Sequence, residues 1–309
     1  MAELAERQER ASAKNGSSET MYSQRARYFD AGAFFKADLS PIPAAGFVGE
    51  RDQAFDPGTG TKLILVDQGK AMNIDFPATT PLVLAAYARI QAGDVLTYNP
   101  CASTVFGFVI KGHGELIQDK DRICWSAGDI FCLPGGVPIS FVSGDEDSIL
   151  WLVSNEPQFT FERCVPPEIS SSLVKATHFP ADEIAGELGK LAGREYGEGG
   201  SAVILSSENL ERRRGLSPTL TLSMNQLRAG ATQPPHRHNS VAVSLIVNGP
   251  NCYSMVDGVR MDWLPWSTVV TPPGSVHSHH SEGKNGAHWL IVQDGGLYNH
   301  CRTMGFSPG

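Results

Sequence analysis

The chain has 309 residues, of which 41% are hydrophobic and 19% are charged, a composition typical of a soluble globular protein with room for two domains. Its formal net charge of -8 argues against a nucleic-acid backbone or an anionic membrane surface as a partner. No apolar run reaches the length of a membrane span, and residues 1–19 lack the apolar segment of a secretory signal, so we expect a cytoplasmic protein. The six cysteines show neither a C-x-x-C pair nor a disulfide spacing, which favours free thiols.

Residues 1–40 are predicted to form a polar N-terminal arm, and residues 41–165 a first domain of short strands. Apolar runs such as Val105 to Ile110 alternate with turn signals such as Gly112-His113-Gly114. Short strands at regular spacing are typical of an antiparallel sandwich or barrel. The acidic run from Asp145 to Asp147 is interpreted as a solvated turn.

Residues 166–200 are predicted to be a linker that contains one helix, from Pro180 to Gly193. Proline suits the first turn of a helix, and Asp182 and Glu183 lie near the N-terminus, where they favour the helix dipole. Glycine suits the C-terminal cap. The linker divides the chain into two halves.

The second half, residues 201–309, repeats the turn residues of the first. Two tandem copies of one all-β unit are therefore predicted, joined by the helical linker. With an offset of 137 or 138 residues, Gly93, Gly112, Pro134, Gly136 and Trp151 recur as Gly230, Gly249, Pro272, Gly274 and Trp289.

Six of the nine histidines lie between His236 and His288. Side chains alternate along a strand, so His236 and His238 are expected to share a face, and a third histidine from another strand would complete a three-point metal site. His277 is the candidate for this third position. The competing interpretation is a polar loop with unrelated histidines, or buried histidines that only form hydrogen bonds.

Two motifs carry a resemblance to a known family. The first is Gly230, five residues, His236-x-His238 and ten residues to Gly249, and the second is Pro272-x-Gly274-x-x-His277. They resemble the two signature motifs of the cupin superfamily. The resemblance implies an all-β fold of two tandem cupin barrels (double-stranded β-helix, or jelly-roll) with metal held on the inner face of the second.

The position at which cupins usually carry a further glutamate ligand is Ala242, which leaves His236, His238 and His277 as a three-histidine set. This absence, together with the His277-x-His279 pair, resembles gentisate and salicylate 1,2-dioxygenases. Those enzymes are non-haem Fe(II) bicupins that cleave hydroxylated aromatic acids with molecular oxygen. The resemblance implies that His279 contacts substrate or oxygen, and it places Asn225 at a glutamine of that family.

The chain departs from the dioxygenase pattern at three further points. A family arginine that holds the substrate carboxylate falls on Ser244, and an aspartate near the last strand falls close to Ile291. Those dioxygenases also keep their iron in the N-terminal barrel, whereas here the intact motif is C-terminal. Arg228 is a candidate replacement for the missing cation because it lies just before Gly230.

The first barrel is expected to be degenerate and metal-free. Its positions that match the ligand set are Asn99, Cys101, Val105 and Ile139, which do not form a coordination shell. Val105 and Ile139 are interpreted as core residues.

The predicted function is an Fe(II)-dependent dioxygenase that uses O2 on a small hydroxylated aromatic or a related oxygen-bidentate substrate. The alternatives are a redox-neutral metal cupin (isomerase, decarboxylase or hydrolase) and a non-catalytic small-molecule-binding bicupin. Mn(II), Zn(II) and Ni(II) stay open as metals because affinity order alone does not select iron. A homodimer or homotetramer is expected.

Overall fold

The structure, a computed structural model, describes residues 20–37, 39–191 and 200–309. The chain forms two compact units that divide between Leu39 and Ser40. Within the first unit, a 3-10 turn at Ser23–Arg25 is followed by the short helix α1 (Ala31–Phe34). The Asp30 carboxylate caps α1 by accepting a hydrogen bond from the Ala33 amide at 2.8 Å.

The second unit holds four more helices and all the strands of the described chain. Its helices are α2 (Gly49–Phe55), α3 (Glu156–Glu162), α4 (Ala181–Leu191) and α5 (Gly295–Cys301), with 3-10 turns at Pro57–Thr59, Gly69–Met72, Ile169–Ser171 and Glu208–Arg213. No helix in the described ranges is long and apolar enough to span a bilayer.

The strands fall into two series. The first runs β1 (Ala45–Phe47), β2 (Lys62–Val66), β3 (Leu84–Ile90), β4 (Val95–Tyr98), β5 (Thr104–Lys111), β6 (His113–Gln118), β7 (Asp121–Ser126), β8 (Ile130–Pro134), β9 (Ile139–Ser143), β10 (Ser148–Ser154) and β11 (Thr177–Phe179). The second runs β12 (Gly200–Ile204), β13 (Thr221–Leu227), β14 (Thr232–His238), β15 (Ala242–Asn248), β16 (Cys252–Val256), β17 (Val259–Asp262), β18 (Thr268–Thr271), β19 (His277–Ser281), β20 (Ala287–Gln293) and β21 (Phe306–Pro308).

These strands build two barrels of the same topology. The first combines a six-stranded sheet, β11-β8-β5-β10-β3-β2, with a four-stranded sheet, β4-β9-β6-β7. The second combines β1-β18-β15-β20-β13-β12 with β17-β16-β19-β14-β21. Position by position, the two six-stranded sheets use equivalent strands, so the predicted all-β duplication is confirmed.

Each six-stranded sheet is completed by a strand from outside its own barrel segment. Ala45–Phe47 lies in the range predicted for the first barrel, yet it pairs antiparallel with β18 of the second. Thr177–Phe179 comes from the predicted linker and pairs with β8 of the first. The chain segments flanking the barrels therefore close sheet edges that would otherwise expose unpaired backbone groups.

Strand alternation produces two kinds of apolar core. Along β5, Phe106 and Phe108 point to a cluster that contains residues of both six-stranded sheets, while Val105 and Val109 point into the first barrel. The shared cluster packs the two sheets face to face, which gives the barrels a common core. Polar bonds cross the same interface: the Trp151 indole donates to Thr268 Oγ1 at 2.9 Å.

The matched tryptophans are not structurally equivalent. Trp151 belongs to the cluster between the barrels, whereas Trp289 lies in the cluster inside the second barrel. The shared offset of turn residues therefore does not carry over to the facing of these two side chains.

The predicted linker helix forms as α4. Ile184 and Leu188, four residues apart, are its buried positions. The Asp129 carboxylate accepts a hydrogen bond from the Ala181 amide at 2.9 Å and so satisfies a free N–H of the first turn. The predicted cap, Gly193, lies outside the described residues.

The interpretation of Asp145 to Asp147 as a fully solvated turn is wrong for Asp147. Its carboxylate pairs with the Arg89 guanidinium, whose side chain is only 3% exposed, and also accepts from the Ala92 amide at 3.0 Å. Asp145 is the solvated member, with a side chain that is 92% exposed. Arginine is rarely fully buried, so a buried charge on β3 was not expected from the sequence.

Replacing Asp147 with Asn is expected to lower the free energy of unfolding by about 3 kcal/mol, because it leaves the buried Arg89 charge without its counter-ion. The matched control Asp145→Asn on the same turn is expected to change it by less than about 0.5 kcal/mol. Chemical denaturation of both variants measures the difference. Equal effects would contradict a buried role for the Arg89–Asp147 pair.

Candidate metal centre

The three predicted histidines come together on two neighbouring strands of the second barrel. His236 and His238 lie on β14, and His277 lies directly opposite His236 on β19. The pairing register shifts between Gln233 and His236, where two prolines, 234 and 235, have no N–H to donate to a ladder. This irregularity leaves the histidine end of β14 paired in its own register with β19.

The ligand atoms of these three side chains lie within 4.8 Å of one another. The ring centroids of His236 and His277 are 4.2 Å apart, and those of His238 and His277 are 4.8 Å apart. His236 and His277 are buried, and His238 is half-buried. Such a cluster is a three-point donor set on one face of a sheet.

Backbone carbonyls determine which ring nitrogen is free on each histidine. Nδ1 of His236 lies 2.8 Å from the carbonyl oxygen of residue 234, that of His238 lies 2.7 Å from residue 240, and that of His277 lies 2.9 Å from residue 275. A carbonyl only accepts, so each neutral ring donates its Nδ1–H and keeps the Nε2 lone pair available. Three available Nε2 atoms fit a divalent ion of the Fe(II), Mn(II), Ni(II) or Zn(II) class.

Burial favours the neutral form of His238 and His277. The pKa of His277 is lowered to about 4, mainly by desolvation and also by the nearby His236 and His238, against the raising effect of the carbonyl of residue 275. Desolvation likewise lowers the pKa of His238. Because metal ligation needs the unprotonated imidazole, these groups are in the ligating form at neutral pH.

A buried aspartate holds the loop that carries one of these carbonyls. The Asp294 carboxylate accepts a hydrogen bond from the Val241 amide at 2.9 Å, and the neighbouring Ser240 carbonyl is the acceptor of His238 Nδ1–H. Desolvation raises the pKa of Asp294 to about 6. The end of β20 therefore positions the loop that orients His238.

His279 lies on the same strand and face as His277 and is buried, with its ring centroid 5.7 Å from that of His277. Its Nδ1 lies 2.9 Å from Ser254 Oγ, which also accepts from the Trp263 indole N–H at 2.8 Å. Desolvation, followed by the charge of His277, lowers the pKa of His279 well below its usual value. A neutral, fixed imidazole thus lies beside the three-histidine cluster. Sequence reasoning missed Ser254 and the contact with Trp263.

Asn225 is half-buried on β13, opposite Trp289. Its amide donates to Ser223 Oγ at 2.9 Å. Together with Gln233, both residues line a cleft of about 260 Å³. The Trp289 ring contacts His279, with 5.4 Å between centroids, and its indole N–H is buried without a partner among the described residues. The cleft thus adjoins the histidine cluster through Trp289.

Two sequence-predicted positions do not supply a cation at the cluster. Ser244 is a buried serine that pairs with Ile291. Arg228 is exposed and follows the last residue of β13, Leu227. The histidine cluster lies at the other end of this strand, where Thr221 pairs with Gln293, the residue that contacts His238. Arg228 therefore lies at the far end of the barrel, and its proposed role as the replacement cation is wrong.

Two contacts at the cluster were not predicted from the sequence. The Gln293 amide nitrogen lies 3.3 Å from His238 Nε2. The Phe306 ring of β21, a strand that pairs with β14, stacks on His236 with 5.2 Å between centroids. The odd-numbered positions of β20 that precede Gln293 point into the barrel, which is the pattern that could have identified it.

The matching positions of the first barrel are occupied differently. Val105 and Ile139 are fully buried in the apolar cluster inside that barrel, as predicted. Cys101 directs its thiol to the Cys164 carbonyl at 3.5 Å, and Asn99 is exposed. That the first barrel holds no metal stays a prediction.

Comparison with solved structures identifies the fold. A structure of a variant salicylate 1,2-dioxygenase from Pseudoaminobacter salicylatoxidans, in complex with gentisate, superposes with a TM-score of 0.70 and 13% sequence identity, over 96% of this chain and 99% of that chain. The chain has the bicupin fold. At this identity, the likeness extends to the fold alone.

Sequence comparison confirms the predicted resemblance to ring-cleaving dioxygenases. A 5-aminosalicylate 1,2-dioxygenase from Comamonas sp. is 31% identical over 103 residues, which is 33% of this chain and 28% of that protein. A gentisate 1,2-dioxygenase from Ralstonia sp. is 28% identical over 133 residues, 42% of this chain and 38% of that protein. The matches therefore span less than half the length of these curated relatives. No protein-family model matches the bicupin.

Replacing His236 with Ala is expected to weaken divalent-metal binding by more than about 100-fold, because it removes one of three donors, a larger loss than that of an outer hydrogen-bond partner. The matched control is His280→Ala, since His280 stacks on Tyr253, with 4.6 Å between ring centroids. Metal content after anaerobic loading and desalting measures both. Loss of metal in the His280 variant and its retention in the His236 variant would contradict this site.

Proposed function

We propose that this bicupin is a non-haem Fe(II)-dependent dioxygenase that cleaves a hydroxylated aromatic acid, or a related small substrate with two adjacent oxygen donors. The carrying observation is the cluster of His236, His238 and His277, whose backbone hydrogen bonds use Nδ1 and leave the Nε2 side of each ring for a metal. The matching relatives are named as 1,2-dioxygenases of salicylate-type acids. A bound iron would supply the redox chemistry for reaction with O2.

The charge of the ligand set supports an anionic substrate. Three imidazoles are neutral, so a divalent ion held by them keeps its full double positive charge in a buried site. An ionised hydroxy acid would compensate that charge, and its two adjacent oxygens would both be available to the ion. The barrel therefore attracts the substrate without needing a cation at Ser244.

His279 is proposed to move a proton at the substrate. The Trp263 indole only donates, so Ser254 Oγ accepts from it and directs its own proton to His279 Nδ1. His279 Nε2 then carries the ring proton and can donate it to a substrate or oxygen atom at the cluster. The lowered pKa keeps this ring neutral, so it presents a single N–H donor, at Nε2.

Asn225 and the neighbouring cleft are proposed to hold the body of the substrate. The cleft combines amide groups of Asn225 and Gln233 with the indole face of Trp289. A flat ring packs on an indole, and amides can bond its polar substituents. The unpartnered Trp289 N–H is a donor that such a substituent would satisfy.

The second candidate function is a redox-neutral metal reaction on a small oxyanion. Ser244 favours it, because the position lacks the arginine expected of a carboxylate-binding dioxygenase. Here the ion would act as a Lewis acid only. Turnover that persists in strict absence of O2 would support this alternative.

Isotope labelling tests the dioxygenase proposal. Fe(II)-loaded protein is incubated with gentisate, salicylate or 5-aminosalicylate under 18O2. The ring-opened product is expected to contain both labelled atoms, because a dioxygenase inserts both atoms of O2 into its substrate. Mass spectrometry of the product measures the incorporation. Unlabelled product would overturn the proposal and favour the redox-neutral reaction.

His279→Gln is expected to lower kcat by about 10²- to 10⁴-fold while iron content stays at the wild-type level, because the proton carrier is lost and the ligands remain. Ser254→Ala is expected to cause a smaller loss in the same direction. Steady-state rates alongside iron analysis separate the two effects. A His279 variant with normal kcat would remove this residue from the mechanism.

The predicted homodimer or homotetramer and the cytoplasmic location stay proposals. Size-exclusion chromatography with light scattering tests the first.

A further inference from the structure

The Gln293 amide occupies the space next to the proposed metal ligands. Its nitrogen lies 3.3 Å from Nε2 of His238, whose Nδ1 proton is used by the Ser240 carbonyl. The amide N–H therefore points at the lone pair through which His238 would bind a metal.

The strand register explains why a glutamine reaches this point. Gln293 ends β20, and its cross-strand partner on β15 is Ala242. Trp289 and Ile291, four and two residues earlier, pack in the cluster inside the barrel, so Gln293 shares their inward face. The methyl side chain of Ala242 leaves the adjoining interior space to the longer glutamine.

The distance is that of neighbouring ligands on one ion. Two donors that each lie about 2.1 Å from a metal are about 3.0 Å apart at a right angle and about 3.4 Å apart in a tetrahedron. The measured 3.3 Å between the amide head group and His238 Nε2 falls in this range. Rotation of the amide by half a turn presents its oxygen in place of its nitrogen, since the two differ little in size.

We propose that Gln293 is a fourth, neutral protein ligand of the metal centre and binds through Oε1. The inference rests on the proposed three-histidine centre and adds a donor to it. An amide oxygen is a suitable ligand for hard and borderline divalent ions. It leaves the ion's double charge uncompensated, and, as a weak neutral ligand, it can be displaced by an incoming bidentate substrate.

Titration with Co(II) under anaerobic conditions tests the assignment without any turnover. Gln293→Leu is expected to raise the Co(II) dissociation constant by about tenfold or more and to change the visible d–d spectrum of the bound Co(II), because a donor is lost. Gln293→Glu, of nearly the same shape, is expected to lower the dissociation constant and to shift the spectrum in its own way. The second variant keeps the test decisive if the leucine variant does not fold.

The matched control is Gln226→Leu, since Gln226 belongs to the same sheet but bonds Ser201 Oγ at 2.7 Å on the strand away from the histidines. It is expected to leave affinity and spectrum unchanged. Variants at Gln293 with wild-type spectra would overturn the proposal even if affinity fell, because a ligand change must alter the spectrum. If His236→Ala also binds Co(II) normally, the proposed three-histidine centre is wrong. If His236→Ala loses Co(II) while the Gln293 variants bind it normally, only the assignment of Gln293 as a ligand is wrong.

An exchange of side chains across the strand pair adds a second test. Ala242→Glu alone is expected to weaken Co(II) binding, because the new carboxylate competes for the space of Gln293. Ala242→Glu combined with Gln293→Ala is expected to bind more tightly than either single variant. Additive effects of the two substitutions would contradict a shared ligand position.

Discussion

The geometry of the candidate metal centre depends on one repeated interaction, the hydrogen bond from a histidine Nδ1–H to a backbone carbonyl two residues away. His236, His238 and His277 each make it. It fixes the tautomer and the ring plane, and it leaves the three Nε2 atoms facing one another. Such bonds use the strand backbone itself as the outer shell of the site, so no carboxylate is needed to orient the ligands.

The remainder of the second barrel serves this arrangement. The buried Asp294 carboxylate holds the Val241 amide and with it the loop after His238. The β19 strand continues to His279, which Ser254 holds in place. The sheets thus place His279 and the three clustered histidines close together, as a reaction that needs a proton donor and a metal at one substrate would require.

The two barrels show how one fold supports opposite interiors. In the first barrel, Val105 and Ile139 fill the space with apolar contacts that stabilise the fold. In the second, His277 occupies the position of Ile139, but Ala242 occupies that of Val105. The large apolar cluster between the six-stranded sheets joins the two barrels. The first barrel therefore acts as a packing partner for the second.

Sequence patterns were sufficient for the duplication, the barrels and the three-histidine cluster, because turn residues and alternating histidines follow from local backbone geometry. They were insufficient where the contact depends on register between distant strands. Gln293 reaches His238 only through the pairing of β20 with β15, and Ala45–Phe47 joins the second barrel although it precedes the first. Asp147 likewise looked solvated because its partner, Arg89, lies on a strand 58 residues away.

The most direct test of the account is oxygen consumption by anaerobically Fe(II)-loaded protein on addition of gentisate, salicylate or 5-aminosalicylate. A dioxygenase is expected to consume one O2 per substrate molecule. This consumption is expected to be lost in His277→Ala, which removes one of the three clustered donors. Tight binding of one iron per chain without any oxygen consumption on this panel would contradict the dioxygenase function and leave the redox-neutral reaction as the better explanation.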